Sequence, residues 1–415
     1  MSEIEMMTQR APHYYKSFKC ISSECRDNCC EGSWQIDIDD ETLDYYRTLP
    51  GTLGESLREN IDFSNGCFNL KDGRCPFLDK NNLCIICQEI GFEHLGVVCD
   101  QFPRYTEYYG SVKERGIGLA CEEAARIIIS DRKPFTYDES PIAEEPFSDD
   151  EYDSRLAEAL FKLRNLFMDL IESPCYTFAE KITAMLFTAD NIQKAINENN
   201  YEDIEKTCHE FQAQFINKHN YIYENTLENR EIDTESGITR IWYAYLEMET
   251  LGEEWDEISK QVMDKLHPEE CLTDGNSHEN NTHSVFYSDL INKFSEYTSN
   301  NYKDDLSEYQ NLLKYYIFRY MMKASYDHDL FGKIQLATAN MLILRDMEMA
   351  YFIGSNFKYT LSDRMNIIHI FSREVEYSED NINSLYEEFI FDEIFSAENL
   401  AQIFRAVFKS NVKLK

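Results

Sequence analysis

Cysteine is the residue type in this chain that is best suited to chemistry. Thirteen cysteines occur among 415 residues, and ten of them lie before residue 135. The densest group is Cys20-x4-Cys25-x3-Cys29-Cys30, and later members of the set are Cys67, Cys75, Cys84, Cys87, Cys99 and Cys121. Thiolates are soft ligands that suit zinc, copper(I) and iron–sulfur clusters. Because short loops let the backbone turn several sulfurs toward one point, the spacing predicts a cysteine-ligated metal centre within the first 121 residues.

The spacing also bears on which metal is bound. Structural zinc sites commonly combine two Cys-x2-Cys units. Here Cys84 and Cys87 have that spacing without a second pair, and the only nearby histidines are His13 and His94. This irregular distribution favours an iron–sulfur cluster, with zinc as the alternative. Adjacent Cys29 and Cys30 cannot easily aim both sulfurs at one ion, so either one ligates while the other packs, or the two serve different centres.

Some thiols are interpreted as small buried hydrophobic groups rather than as ligands. They are Cys67, Cys87, Cys175, Cys208 and Cys271.

Charge and the N-terminal sequence limit the partners and the compartment. The formal net charge of −36 argues against nucleic acid and anionic membranes as partners, because both would be repelled. The N-terminus is acidic and lacks the apolar region of a signal peptide. No run of about 18 apolar residues predicts a membrane span. We therefore expect a cytoplasmic protein, in which cysteines serve metal or redox chemistry rather than disulfides.

The composition divides the chain near residue 135. Ten of the fifteen glycines precede that position, whereas the residues after it contain long stretches with few helix breakers. We predict a mainly α fold: a small Cys-rich metal-binding module with short β elements at 1–133, an acidic linker at 134–153, and an all-helical body at 154–415.

Four local patterns give sharper predictions. Alternation of apolar and polar residues over 34–38 predicts a strand. Ser148 and Glu151 have capping-box spacing ahead of an apolar helical stripe. Residues 238–266 are predicted to form one helix. Residues 312–322 are apolar nearly all round and predict a central, buried helix.

Phosphate-binding glycine loops do not occur in the sequence. Neither G-x-G-x-x-G after a strand nor G-x-x-x-x-G-K-[ST] is found, so a classical nucleotide-binding domain is not supported. The Cys-x3-Cys-x2-Cys triad of radical S-adenosylmethionine (SAM) enzymes does not occur either. Residue types and spacing alone thus indicate a metal–thiolate protein of unspecified activity.

Three segments carry a family resemblance. They are YYKSFKCISSECRDNCCEGSWQIDID at 14–39, RCPFLDKNNLCIICQEIGFEHLGVVCDQFPRY at 74–105, and GLACEEAAR at 118–126. Together they resemble the flagellin lysine-N-methylase family, within a wider group of proteins that carry a zinc- or iron-chelating cysteine cluster. The resemblance implies a [4Fe–4S] cluster and methyl transfer from SAM to lysine ε-amines of flagellin.

The resemblance also implies ligand candidates. The cysteines that match the family pattern by position are Cys20, Cys25, Cys29, Cys30, Cys75, Cys84, Cys99 and Cys121. One cubane needs four ligands, so eight candidates are too many for a single cluster. Our prediction within the set is Cys25, Cys29, Cys30 and Cys99.

The implied reaction needs further side chains, because a lysine ammonium cannot attack a sulfonium methyl until it loses a proton. Carboxylates or phenols near the cysteines are candidates for accepting that proton: Asp27, Glu31 and Tyr105, with Asp100 and Glu122 as further neighbours. Trp34 and Tyr15 are candidates for an aromatic wall around the cation, and Arg104 for pairing with the SAM carboxylate. Each of these residues has a plainer interpretation as a surface or core group.

The leading hypothesis is SAM-dependent methylation of flagellin lysines, with flagellin and SAM as partners and with the acidic surface favouring a lysine-bearing substrate. The first alternative is a non-enzymatic iron- or zinc-binding protein. In the second alternative, the metal centre only stabilises the fold, and the helical body is a scaffold that binds partners.

Overall fold

The computed structural model describes residues 6–31, 34–217, 233–268, 279–302 and 305–408. The protein is mainly α-helical, as predicted, and within these ranges strands occur only before residue 143. The strands are β1 Met7–Pro12, β2 Ile61–Asp62, β3 Cys67–Phe68, β4 Arg104–Tyr109, β5 Val112–Ile117 and β6 Tyr137–Ile142. Short helices lie among them: α1 Asp40–Thr48, α2 Gly51–Asn60, α3 Ile85–Ile90, α4 Val97–Gln101 and α5 Glu122–Ile129.

The remainder of the chain is a stack of longer helices. In chain order they are α6 Ser154–Glu172, α7 Phe178–Asn197, α8 Tyr201–Phe211, α9 Thr234–Leu246, α10 Glu253–Leu266, α11 Glu279–Asn301, α12 Asp305–Tyr320, α13 Ala324–Asp327, α14 Leu330–Gly354, α15 Leu361–Val375, α16 Glu379–Phe391 and α17 Ala397–Val407. Nearly all side chains of α14 are buried, because the other helices surround it. The apolar segment at 312–322 is also buried, which confirms that prediction.

Four strands form one sheet in the order β4-β5-β1-β6. Strands β4 and β5 are a hairpin in which Tyr109 pairs with Val112, and Gly110 closes the turn with a φ of +58°. Glycine suits this position because side chains disfavour positive φ. Strand β1 runs parallel to β5 and antiparallel to β6. Strand β6 lies within the 134–153 stretch interpreted as a linker, so part of that stretch is paired backbone whose side chains are exposed or partly buried.

The cysteine-rich segments surround a small apolar core. Its buried members are Ile36, Ile38, Leu43, Tyr46, Leu53, Leu57, Ile61, Phe68, Cys75, Phe77 and Ile86. The predicted alternation at 34–38 is present as burial, since Ile36 and Ile38 are buried and Gln35 and Asp37 are exposed. The backbone pairing of residues 34–38 is limited to an isolated bridge from Asp37 to Cys67, so this segment is not a full strand.

A larger core lies in the helical body and extends into the N-terminal part. It includes Tyr14 and Phe18, residues of β5, and the apolar face of α5. The four-stranded sheet and α5 thus pack on the helical body, and the small core holds the segments between residues 36 and 86. The domain boundary at 133 stays a prediction. No helix in the described ranges is long and apolar enough to cross a membrane.

The start of α6 differs from the prediction. The expected capping box at Ser148 and Glu151 lies outside the helix, which instead begins after Asp153. The Asp153 carboxylate accepts a hydrogen bond from the Leu156 backbone N–H at 2.8 Å and so caps the first turn.

The predicted single helix at 238–266 is two helices, α9 and α10, separated by residues 247–252. Side chains from α15 and α16 hold this connection. The Glu249 N–H donates to Asn381 Oδ1 at 2.9 Å, and the Leu251 N–H donates to Glu374 Oε1 at 2.7 Å. These bonds pair backbone N–H groups of the connection, which belong to neither helix.

Candidate functional site

Nine cysteines line one cavity of about 450 Å³ in the N-terminal part of the protein. They are Cys20, Cys25, Cys29, Cys30, Cys75, Cys84, Cys87, Cys99 and Cys121. The cavity thus collects all eight cysteines predicted from the family pattern. It also contains Cys87, which the sequence interpretation had set aside as a packing residue. We call this space the thiol cavity.

The other cysteines in the described ranges lie elsewhere. Cys67 is in the short strand β3, Cys175 precedes α7, and Cys208 is buried in α8. Cys208 belongs to the larger core and Cys175 packs partly buried against it, whereas Cys67 is partly buried and belongs to neither core. Cys271 lies outside the described residues.

Local backbone contacts bring the sulfurs together. Asn28 is buried, and its side-chain oxygen accepts a hydrogen bond from the Cys30 N–H at 2.9 Å, which forms the turn containing Cys29 and Cys30. The Cys75 N–H donates to the Cys30 carbonyl at 2.8 Å, which joins the first cysteine segment to the second.

Short helices position the remaining thiols. Cys84 immediately precedes α3, Cys87 lies within it, Cys99 lies within α4, and Cys121 immediately precedes α5. Asp39 orients α4, because its carboxylate accepts from the Val97 N–H at 2.8 Å as well as from the first turn of α1. Helix starts thus direct several cysteines into one space.

Burial makes most of these thiols weak acids. It raises the pKa of Cys25, Cys75 and Cys87 to about 12; neighbouring thiols add to the rise for Cys25 and Cys87, and carboxylates add to it for Cys25. Burial likewise raises the pKa of Cys121 to about 11. Forming several thiolates here therefore requires a compensating positive charge, of the kind that a metal ion would supply.

Cys30 differs from its neighbours. A hydrogen bond from the Cys29 thiol lowers the pKa of Cys30, burial opposes that effect, and the Arg74 guanidinium lowers the pKa further. The same hydrogen bond is the main cause that raises the pKa of Cys29. Cys30 is therefore the thiol in this turn that forms a thiolate most readily.

The donor set is chemically suited to a cluster of soft metal ions. Nine thiols surround a volume, and a cluster of several irons bridged by sulfide needs a volume of that kind. In the described part of the chain, no three His, Cys, Asp or Glu side chains form a group that could hold a single metal ion.

Of the eight non-cysteine candidates, four line the thiol cavity: Asp27, Asp100, Arg104 and Glu122. Asp27 accepts hydrogen bonds from His369 and Arg373, both on α15. Burial acts to raise the pKa of Asp27, but the bonds and charges of His369 and Arg373 lower it below its ordinary value. Arg104 packs its guanidinium over the Phe18 ring at 4.9 Å.

His369 and Arg373 are functional candidates that the sequence interpretation missed. His369 Nδ1 lies 2.9 Å from the Ala120 carbonyl oxygen. The imidazole ring therefore connects the backbone next to Cys121 with the Asp27 carboxylate. No spacing rule connects either residue to the cysteines, because more than 340 positions separate them from Asp27.

Three other candidates have contacts elsewhere. Glu31 forms an ion pair with Arg74. Tyr105 lies on β4 with the Arg319 guanidinium 4.2 Å from its ring centre, and Tyr15 has the Arg115 guanidinium 5.1 Å from its ring centre. None of the three is among the described residues that line the thiol cavity.

Trp34 lines a second space, a cleft of about 460 Å³. Its ring stacks on Tyr377 with centres 5.6 Å apart, and the Arg373 guanidinium lies 4.9 Å from its centre. Phe102 lines both the cleft and the thiol cavity, which are therefore neighbours. Residues from the helical body form the opposite wall, including Trp255 and Glu374.

Comparison with known proteins identifies the helical region. A model of the FliB lysine N-methylase C-terminal domain matches residues 164–403. The chain belongs to this family. The match confirms the resemblance drawn from the N-terminal segments, and it places His369 and Arg373 within the FliB domain.

Three curated relatives of this chain have names that refer to lysine methylation or to the flagellum. The lysine-N-methylases of Salmonella typhimurium and Salmonella choleraesuis are each 29% identical over 170 residues, which is 39% of this chain. The chain spans only 41% of the length of those two relatives. The flagellar biosynthetic protein FliU of Salmonella muenchen is 30% identical over 134 residues, covering 30% of this chain and 79% of that protein. No solved structure matches the chain.

Proposed function

We propose that this protein is a cytoplasmic methyltransferase that moves methyl groups from SAM to lysine ε-amines of flagellin. The single observation that carries the proposal is the cavity lined by nine thiols. Its Asp27 side chain accepts a hydrogen bond from Arg373 on helix α15 of the FliB domain. The names of the curated relatives support lysine as the acceptor and the flagellum as the context. The net charge of −36 favours approach of a lysine-bearing protein.

A [4Fe–4S] cluster is part of the proposal. Cys25, Cys29, Cys30 and Cys99 would hold it, and all four line the thiol cavity. When bound, such a cluster would supply the positive charge that keeps its ligands as thiolates. The remaining thiols of the cavity would surround it and limit access of water.

The protein's own side chains would prepare the lysine. The amine nitrogen forms its bond to the methyl carbon as the sulfur–carbon bond breaks, and the donor leaves as a neutral thioether. Because the pKa of Asp27 is lowered, that carboxylate is a poor proton acceptor, and we assign it a positioning role. Glu374 is better suited to accept the proton, because burial raises its pKa despite hydrogen bonds from the backbone at Leu251 and Gly252.

The test is an anaerobic purification followed by incubation with labelled SAM and flagellin. The proposal predicts a brown protein that absorbs broadly at about 400 nm and contains stoichiometric iron and sulfide. It also predicts that the label is found on flagellin lysines. Cys29→Ser should abolish the absorption, whereas Cys67→Ser, a thiol outside the cavity, should not. Labelled SAM that is neither bound nor transferred would overturn the enzymatic proposal in favour of a metal-binding protein. Zinc in a colourless active protein would overturn the cluster alone.

A further inference from the structure

The cleft that contains Trp34 has no role in the cysteine chemistry described above. One wall comes from the N-terminal part, with Trp34, Val98 and Phe102, and the other comes from the FliB domain. It adjoins the thiol cavity in two ways. Phe102 lines both spaces, and Arg373 of the cleft donates a hydrogen bond to Asp27 of the cavity. A group bound in the cleft is therefore beside the proposed reaction centre.

The charge of the cleft favours a cation. Its described lining includes three carboxylates, from Glu249, Glu254 and Glu374, and one guanidinium, from Arg373. Arg373 already contacts Asp27 and lies 3.8 Å from Glu254. The carboxylates thus exceed the positive charge of the lining, and a positively charged ligand would be attracted.

The rest of the lining is apolar and reaches the surface. Val98 is 45% exposed, and Leu251 and Tyr377 are each 43% exposed, although all three are large hydrophobic residues. Exposed apolar residues around a cleft commonly mark a surface that binds another molecule. A lysine side chain combines an apolar four-carbon stem with a terminal ammonium, which matches an apolar entrance and acidic walls.

We propose that this cleft receives the side chain of the substrate lysine, with the exposed apolar residues contacting the surrounding protein surface. The assignment rests on the proposed function and adds the position of the acceptor. SAM is the competing occupant because its sulfonium is also a cation. Tyr377 stacks on the Trp34 ring and the Arg373 guanidinium lies over it, so adenine would have to compete with two existing contacts to stack there.

Gly252 provides a direct test. It lines the cleft, and a Cβ built on it meets only Glu374 Oε2, at 3.9 Å, so there is room for a side chain. Gly252→Trp should fill the cleft, and Gly252→Ala is the matched control with little added volume. We expect Gly252→Trp to weaken flagellin binding about tenfold or more, while SAM binding and iron content stay as in the wild type. Gly252→Ala should bind flagellin like the wild type.

Glu254 tests the charge independently of cleft volume. Glu254→Gln should raise the Kd for flagellin several-fold, and raising the salt concentration should reduce the difference from the wild type. Glu257→Gln is the control, because Glu257 is exposed on the same helix α10 and is not among the lining residues. The unfolding midpoint of Gly252→Trp shows whether this variant folds. If it does not fold, the comparison of Glu254→Gln with Glu257→Gln decides the proposal.

Binding is measured on the full chain with purified flagellin and with flagellin whose lysines are acetylated, and SAM binding is measured separately. Wild-type binding that requires free lysines and is lost in Gly252→Trp supports the cleft. Unchanged flagellin binding in Gly252→Trp and Glu254→Gln overturns it, as does loss of SAM binding with flagellin binding retained. Lysine-dependent binding without methyl transfer would reject the proposed function and leave the cleft assignment standing.

Discussion

Arg373 donates a hydrogen bond to the Asp27 carboxylate across 346 positions of sequence. His369, one turn earlier on α15, contacts the same carboxylate oxygen. Asp27 lies in the loop between Cys25 and Cys29, so the FliB domain holds the cysteine loop from outside. The geometry of the thiol cavity therefore depends on a helix more than 300 residues away.

Asp27→Asn should weaken this connection. The variant keeps the shape of the side chain but removes the charge that Arg373 and His369 contact, so we expect the free energy of unfolding to fall by about 1–3 kcal/mol. Urea denaturation measures that loss, and methyl transfer to flagellin should fall with it. Asp44→Asn, an exposed change in α1, is the control. Equal effects of the two variants would show that the contact with α15 does not stabilise the loop.

Cys99→Ser and Cys87→Ser separate the proposed ligands from the other thiols of the cavity. Both residues line the cavity, but Cys99 is among the four proposed ligands and Cys87 is not. We expect Cys99→Ser to lose the absorption at about 400 nm and most of the iron, and Cys87→Ser to keep both. A bleached Cys87 variant beside a brown Cys99 variant would reverse the ligand assignment.

Lys181 should make stability depend on pH. Its ammonium is buried and donates to the Ile171 carbonyl at 2.6 Å, and burial lowers its pKa from 10.5 to about 8. Between about pH 8 and pH 10.5 the unfolded chain holds a proton that the folded chain has released, so this group makes stability rise with pH there. Below about pH 8 the penalty for burying the charge, about 3 kcal/mol, is present in full.

Lys181→Met removes that contribution. The gain in unfolding free energy between pH 7.5 and pH 10 should therefore be smaller in Lys181→Met than in the wild type, by about 2–3 kcal/mol. Taking the difference between the two proteins cancels the titration of other groups. Identical pH profiles would mean that Lys181 keeps its ordinary pKa in the folded protein.

Arg164 and Glu114 form a buried ion pair between α6 and β5, with N···O distances of 2.8 and 2.5 Å. Arg164→Met leaves the Glu114 charge buried without this partner, so we expect a loss of about 3–5 kcal/mol in the free energy of unfolding. Lys162→Met is the control because Lys162 forms an exposed ion pair on the same helix. A similar loss in both variants would contradict the proposed importance of burial.

The sequence by itself determined the features that depend on neighbouring residues. Cysteine spacing predicted a metal–thiolate centre in the first 121 residues, because short loops keep residues such as Cys25 and Cys29 close together, and the resemblance implied which eight cysteines belong to it. Apolar periodicity predicted the helical body and the buried segment at 312–322, because helix formation and burial follow a local period. The family resemblance was also contained in the short segments around those cysteines.

The tertiary structure decided which distant groups meet. Cys87 enters the thiol cavity because α3 turns it inward, and Asp27 is held by His369 and Arg373 because α15 packs against its loop. The cleft beside Trp34 exists only where the N-terminal part faces the FliB domain. Such contacts arise from packing between separate elements, and no local spacing in the chain encodes them.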